Sequence, residues 1–329
     1  MQVLIVGFGS IGKRHARVLQ SLYESKVEIF ILDSSEERLK EAVDQGFHCG
    51  NLNAHYDLVI IATSTASHAS VLDSLFVQPS MMIYLEKPVG SELKSIAPSI
   101  RRIQKELSRN GGSSVVGYML RHHPAVKRLQ DMMKHGKLGR LLKYRAECGM
   151  YLPNWHPWED YRDFYMSDID GGGGALLDIS HEIDLALCFS GPADSVQGTF
   201  GNLSELECSS DDFAEFIIRH KSGAVGSVSL DLIQKDTFRQ SRFIFEKGEA
   251  IINFVDKTLT IHTGLSEVES HEFKLDPDFL YEASHRSLIE ASGAGSASLK
   301  DGLDVMQVIE AVRLSSATGS RIILPVYSR

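Results

Sequence analysis

Five short stretches of the chain, residues 2–6, 27–32, 58–62, 81–85 and 113–117, are apolar almost without interruption and rich in β-branched side chains. Continuous runs of that length predict strands buried on both faces. Between them the apolar positions recur every three to four residues, which predicts helices from about 11, over 36–45, over 67–76 and over 93–107. Strand and helix in strict alternation predict an α/β domain with a doubly wound parallel sheet over residues 1–120. From residue 121 the pattern changes. A helix is expected over 124–135 and a strand over 141–149, followed by a loop, 151–165, rich in aromatics and prolines. A glycine run at 171–174 should open a helix that reaches 189 and stops at Gly191-Pro192. Period-two alternation then predicts strands at 213–219, 224–230, 242–245, 250–254 and 259–262, helices at 281–291 and 303–316, and a last strand at 321–324. Residues 121–329 therefore read as an α+β domain with a large, open, mainly antiparallel sheet in meander order.

Composition narrows the class. The 329 residues are 43% hydrophobic and 23% charged, as in a globular chain of about two domains. No apolar run approaches the roughly 18 residues that cross a bilayer, and a strand begins at residue 2 where a signal peptide would lie, so a cytoplasmic protein is expected. Cys49, Cys148, Cys188 and Cys208 are scattered, with no C-x-x-C pair, and read as reduced thiols rather than zinc ligands. The net charge of −9 falls wholly after residue 120, because residues 1–120 carry 12 basic and 12 acidic side chains. Such a surface argues against nucleic acid or anionic membrane as a partner, while leaving room for an anionic substrate held by a few local cations.

The first predicted strand runs directly into Gly7-Phe8-Gly9-Ser10-Ile11-Gly12, a G-x-G-x-x-G turn that opens a helix. In a Rossmann domain Gly7 permits the tight turn, Gly9 lets backbone approach a pyrophosphate, and Gly12 lets the helix pack closely on its strand. The helix N-terminus offers free N–H groups and a positive dipole end to the anion. The second strand ends in Asp33, 21 positions after Gly12, where a carboxylate accepts hydrogen bonds from the adenosine ribose. Asp33 repels a 2′-phosphate, which favours NAD. Ser34, Ser35 and Arg38 keep NADP open if the loop turns them inward. A plain cap for the helix near residue 36 is the competing role for Asp33.

Two further stretches carry candidate chemistry. Glu86-Lys87-Pro88 follows a buried strand at the ligand-binding edge, as do Ala62 and the residues after it. Pro88 stiffens the backbone at Lys87, whose ammonium can polarise an alcohol or carbonyl oxygen; alone, the triplet reads more readily as a solvated lysine. On the predicted helix after Gly171-Gly-Gly-Gly174, Asp178 and His181 lie three positions apart and so are neighbours, a carboxylate and imidazole suited to general-base work. A satisfied core histidine is the alternative. His122, His123, His156, His181 and Glu182 have no recognised metal-ligand spacing, so no metal is expected. The two tryptophans, Trp155 and Trp158, share the 151–165 loop with three tyrosines, which suits a sugar ring, a subunit contact or a loop core.

Taken together, these residues resemble the Gfo/Idh/MocA oxidoreductase family, over nearly the full length. The resemblance rests on Gly7-x-Gly9-x-x-Gly12, the segment from Ala62 through Thr63 and Ser64 to His68, Glu86-Lys87-Pro88, Gly117-Tyr-Met-Leu-Arg121 with Pro124, Gly136-Lys-Leu-Gly139, the 171–184 segment and Asp301-Gly302. It implies an NAD- or NADP-dependent reaction on a sugar, cyclitol or nucleotide-linked sugar, in a homo-oligomer, dimer or tetramer, built through the C-terminal sheet. It implies that Lys87 is the active-site lysine and His181 the catalytic histidine, with Asp178 beside it. The family commonly places that aspartate four residues before the histidine, whereas here the spacing is three. Ala62, Thr63, Ser64, His68, Glu86, Lys87 and Pro88 are then expected to line the cofactor, and Arg121, Trp155, Trp158 and Tyr165 the substrate. The Thr63-Ser64 segment lacks the proline often found there. Two alternatives stand beside a simple dehydrogenase: an enzyme that reduces and reoxidises its own bound NAD, and a non-catalytic NAD-binding sensor or partner subunit.

Overall fold

The computed structural model describes residues 1–155, 157–264 and 267–326. In chain order the elements are β1 (Gln2–Val6), α1 (Ser10–Tyr23), β2 (Glu28–Leu32), α2 (Glu36–Asp44), β3 (His48–Cys49), β4 (Leu58–Ile61), α3 (His68–Ser74), β5 (Met82–Leu85), α4 (Leu93–Asn110), β6 (Ser113–Val116), α5 (Pro124–Lys134) and β7 (Leu141–Tyr151). They continue with α6 (Leu152–Trp155), α7 (Ala175–Asp178), α8 (His181–Ser190), β8 (Ala193–Gly201), β9 (Phe213–His220), β10 (Val225–Asp231), β11 (Ile233–Phe245), β12 (Gly248–Asn253), β13 (Thr258–Thr263), β14 (Glu267–Glu272), α9 (Phe279–Ala291), α10 (Leu299–Thr318) and β15 (Ile322–Ile323).

Two compact units result: residues 1–122 with 276–303, and residues 123–275 with 304–329. The expected division at residue 120 differs from this, because 276–303 returns to the first unit. The cause is local. Helix α1 and strand β5 present His15 and Tyr84, both fully buried, and α9 covers them with Tyr281, Ser284 and His285. The Val116 N–H also donates to the Ala297 carbonyl at 2.8 Å.

The first unit holds a six-stranded sheet in the order β3-β2-β1-β4-β5-β6, parallel throughout. Strand order reverses at β1, so the carboxyl ends of β1 and β4 flank the crevice where α/β sheets take ligands. Leu58–Ile61 and most of β1 have no exposed surface, as the continuous apolar runs require.

The second unit holds nine strands in the order β14-β13-β12-β11-β7-β10-β9-β8-β15. It is not a pure meander: β7 sits between β10 and β11, pairing parallel with β10 and antiparallel with β11. On β9 the residues Ala214, Phe216, Ile218 and His220 are buried and their neighbours are half-buried or exposed, so one face packs inward and the other is open. The helix expected to run from the glycines to residue 189 is broken at Ile179-Ser180 into α7 and α8. Nearly every residue of α8 is buried, including Glu182 and Asp184, so it has no polar face.

The glycine turn assigns distinct tasks to its residues. Gly7 adopts φ +95°, and a Cβ there would meet the Ala62 carbonyl at 2.6 Å. A Cβ on Gly12 would lie 1.9 Å from the Gly7 carbonyl oxygen, whereas Gly9 faces open space. Gly12→Ala should therefore cost about 1–3 kcal/mol of stability in denaturant unfolding. Gly9→Ala, at an ordinary φ of −75°, should leave stability within about 1 kcal/mol of wild type. Its effect should appear instead in a nicotinamide-fluorescence titration, as NADH affinity weakened on the order of tenfold.

Candidate active-site residues

Helix α1 begins at Ser10 after the Gly9 N-cap, with no side chain capping it and no acid in its first turn. Its leading N–H groups and positive dipole end are left for an anion. Ser10 is exposed and Ile11 half-buried there. The Phe8 side chain, expected at the cofactor, turns into the core, its ring 5.7 Å from that of Phe47. What it contributes is its N–H, which donates to Asp33 Oδ2 at 2.6 Å. The Ser35 N–H donates to Asp33 Oδ1 at 2.8 Å. Asp33 is thus locked to the turn, and two lone pairs on its carboxylate stay available for ribose hydroxyls. The cap of α2 is Ser35, which accepts the Arg38 N–H. Ser34 is exposed, and the Arg38 guanidinium stands 3.7 Å from Asp33 Oδ2.

Ala62 and Thr63, half-buried, and Ser64, exposed, leave the carboxyl end of β4. Glu86-Lys87-Pro88 leaves β5 at the same edge, with the Glu86 N–H donating to the Ile61 carbonyl at 3.0 Å. Lys87 is half-buried and joined to Pro88 by a cis peptide. Three residues expected at the ligand also make contacts within the fold. His68 is buried, Nδ1 lying 3.1 Å from the Pro88 carbonyl and Nε2 3.2 Å from the Thr63 carbonyl. Burial holds its pKa below the usual value, and the neutral ring has one N–H to donate to one of these two carbonyls. Glu86 accepts the Lys87 N–H on Oε2 at 3.2 Å and meets His15 Nε2 on Oε1 at 3.0 Å. Arg121 is 9% exposed, with its guanidinium 3.4 Å from Asp301 Oδ2. Burial pushes the Asp301 carboxyl up, but Arg121 and Ser298 override it and leave it below the ordinary range.

In the second unit His181 and Asp178 are 5% and 7% exposed. With Ile179-Ser180 breaking the helix, they are not successive turns of one regular face as expected. The Tyr165 hydroxyl donates to Asp178 Oδ1 at 2.8 Å, which joins the aromatic loop to this carboxylate. Trp155 and Trp158 are exposed. His122 Nε2 lies 2.8 Å from Ser296 Oγ, and His123 accepts the Ala125 N–H at the start of α5. The His123 pKa is pushed down to about 4 by burial, then by Arg239 and Lys257. His156 lies outside the described residues. Among the described residues no group of three or more metal-ligating side chains comes together.

Two supports of His181 were missed in the sequence. Arg239 on β11 grips the buried Glu182 carboxylate with two bonds, 2.7 and 3.1 Å, next in sequence to His181. A glutamate inside an apolar helix signals that some cation must pair with it, but not which one. Asp211 holds the start of α7: its Oδ2 accepts the Leu176 N–H at 2.8 Å, and its own carbonyl accepts the Ala175 N–H at 2.9 Å. A Cβ on Gly174 would strike Asp211 Oδ1 at 2.3 Å, which accounts for the end of the glycine run. Burial raises the Asp211 pKa from 3.8 to about 6. Between those values the folded chain holds a proton that the unfolded chain has lost, so this group's contribution to stability is full below pH 3.8 and is lost as pH rises through about 6. Asp211→Asn should remove that slope. Relative to wild type its unfolding free energy should rise by about 2–3 kcal/mol between pH 4 and 7, measured by urea unfolding at each pH.

Residues 1–118 match the family described as an oxidoreductase family with an NAD-binding Rossmann fold, and residues 126–251 match the GFO/IDH/MocA C-terminal domain. A curated relative, the inositol 2-dehydrogenase/D-chiro-inositol 3-dehydrogenase of Lacticaseibacillus casei, is 26% identical over 160 residues, and the match spans 44% of each protein. Among solved structures, levoglucosan dehydrogenase in complex with NADH aligns over 99% of both chains with TM-score 0.84 at 18% identity. The WlbA dehydrogenase of Bordetella pertussis, in complex with NADH and UDP-GlcNAcA, aligns over 99% of both chains with TM-score 0.77 at 19% identity. With its glycine turn in place and both halves of the chain matched, this protein belongs to the Gfo/Idh/MocA oxidoreductase family and carries that family's NAD-binding Rossmann domain.

Proposed function

We propose that the chain is an NAD-dependent dehydrogenase acting on a secondary alcohol, or the matching ketone, of a sugar, cyclitol or nucleotide-linked sugar. The observation that carries this reading is Lys87. It leaves β5 at the sheet edge where the glycine turn leaves β1, with only β4 between the two strands, a lateral separation of about 10 Å. A cation at that edge has a task an ordinary surface lysine lacks. The relatives fit the substrate class: one is named for inositols, one for levoglucosan, and one is held with a UDP-sugar acid.

NAD, when bound, supplies the hydride acceptor or donor; Gly9, the α1 N-terminus and Asp33 are the residues that hold it. The Lys87 ammonium binds and polarises the reacting oxygen. His181 takes the hydroxyl proton in oxidation and returns it in reduction. Asp178, bonded to Tyr165, is a positioning residue, and the exposed Trp155 and Trp158 offer ring faces to the C–H surface of a sugar. A cytoplasmic homo-oligomer belongs to the same reading. It is supported by four cysteines that form no disulfide and by exposed Ile217 and Ile244 on the open sheet face.

The test is nicotinamide absorbance during incubation with NAD or NADP and free sugars, cyclitols and nucleotide sugars. Lys87→Ala and His181→Ala should each lower turnover roughly a hundredfold or more, with NADH affinity nearly unchanged. An unaffected rate removes the role assigned to that residue. If NADH binds but nothing is turned over, the dehydrogenase reading gives way to internal recycling when the purified protein carries nucleotide, and to a sensor when it does not. Asp33→Ser should relax the preference for NAD over NADP, and an unchanged ratio of kcat/KM values would assign nucleotide selection to other residues.

A further inference from the structure

The mechanism leaves unused a buried chain of titratable groups in the first unit. His15 on α1 and His285 on α9 have no exposed surface, and Glu86 has 8%. His15 Nδ1 is 2.9 Å from His285 Nε2, and His15 Nε2 is 3.0 Å from Glu86 Oε1. The carboxylate's other oxygen accepts the Lys87 N–H. Gly117 makes room for it, since a Cβ there would come within 2.7 Å of Glu86 Oε1. Tyr84 and Tyr281 enclose the His15 ring edge-on, at 4.9 and 5.4 Å between centroids. Burial lifts both phenols well above their ordinary range, so they stay protonated.

The bonds in this chain have a direction. An ionised carboxylate only accepts, so His15 donates from Nε2. A singly protonated His15 then has a bare Nδ1, and His285 must donate to it from its own Nε2. His285 Nδ1, which has no partner among the described residues, is then a lone pair rather than a stranded N–H. Burial, followed by the neighbouring His15, holds the His285 pKa well below its usual value, in keeping with a neutral ring.

We infer that His285, His15 and Glu86 form a one-way hydrogen-bond chain that positions Lys87, tying the residue before the lysine to the helix that opens at the anion-binding turn. His15 and His285 are positioning residues in this scheme. The scheme rests on the role proposed for Lys87, but its readouts need no turnover. In protein carrying 15N-labelled histidine, long-range 1H–15N correlations should find both rings with the proton on Nε2. His15→Gln sets an amide donor where Nε2 stood, while His15→Asn reaches only the Nδ1 position. Acetylation of Lys87 by acetic anhydride, quantified by peptide mass spectrometry against the exposed Lys40 and Lys94, should match wild type in His15→Gln. In His15→Asn it should differ by about tenfold.

Equal Lys87 reactivity in the two variants, or an Nδ1 proton on either wild-type ring, overturns the inference. If His15→Asn does not fold, Glu86→Gln serves with shape preserved: its amide faces two donors, so either a bond is lost or both histidines reverse tautomer. Unchanged tautomers and unchanged labelling in Glu86→Gln would also overturn it. A substrate panel without turnover would bear on the dehydrogenase reading alone, because neither readout uses substrate.

Discussion

The seat of α1 on β1 is the contact from which the first unit is built outward. With Gly12 pressed against the Gly7 carbonyl, the helix cannot stand off its strand, and its first turn is aimed along the crevice at the strand ends. His15 lies three residues after Gly12 and so on the same helical face. The close seat that prepares an anion site therefore also sends an imidazole into the sheet, towards β5 and Glu86. Asp33 closes the arrangement from the other side by holding the Phe8 N–H. The turn is fixed by its neighbours in space as firmly as by its own glycines.

The second unit solves a different problem, that of keeping polar groups inside an apolar helix and sheet. It uses two devices. The Glu182 and Arg239 pair meets charge with charge through two bonds, one to each carboxylate oxygen. Asp211 instead caps backbone N–H groups and carries a raised pKa as the consequence of its burial. Both devices bear on the residues flanking His181 and Asp178, whose local backbone is irregular and needs holding.

Features encoded over a few consecutive residues were legible in the sequence. The five parallel strands, the glycine turn, Asp33 and the lysine after β5 all depend on short-range pattern. The break at Ile179-Ser180 was not, because apolar spacing continues through it. The place of β7 in the sheet and the return of α9 to the first unit were not legible either, since pairing and packing partners lie far apart along the chain. The partners that Glu86, His68 and Arg121 find within the fold were not legible either. Motif proximity marks the loop, whereas the direction of a side chain beside a strand buried on both faces has no hydropathy signature. Each of the three turned out to hold a neighbouring loop or helix from within.

The return of residues 276–303 to the first unit has a consequence for synthesis. Until α9 leaves the ribosome, His15 and Tyr84 have no cover, and roughly 150 residues of the second unit must be made in between. At about 5–20 residues per second that is a delay on the order of 10–30 s. Throughout it, the nascent nucleotide-binding half exposes the surface it will later bury. A chaperone acting on this protein would find its binding window there, and a domain excised at residue 122 would keep that surface permanently open.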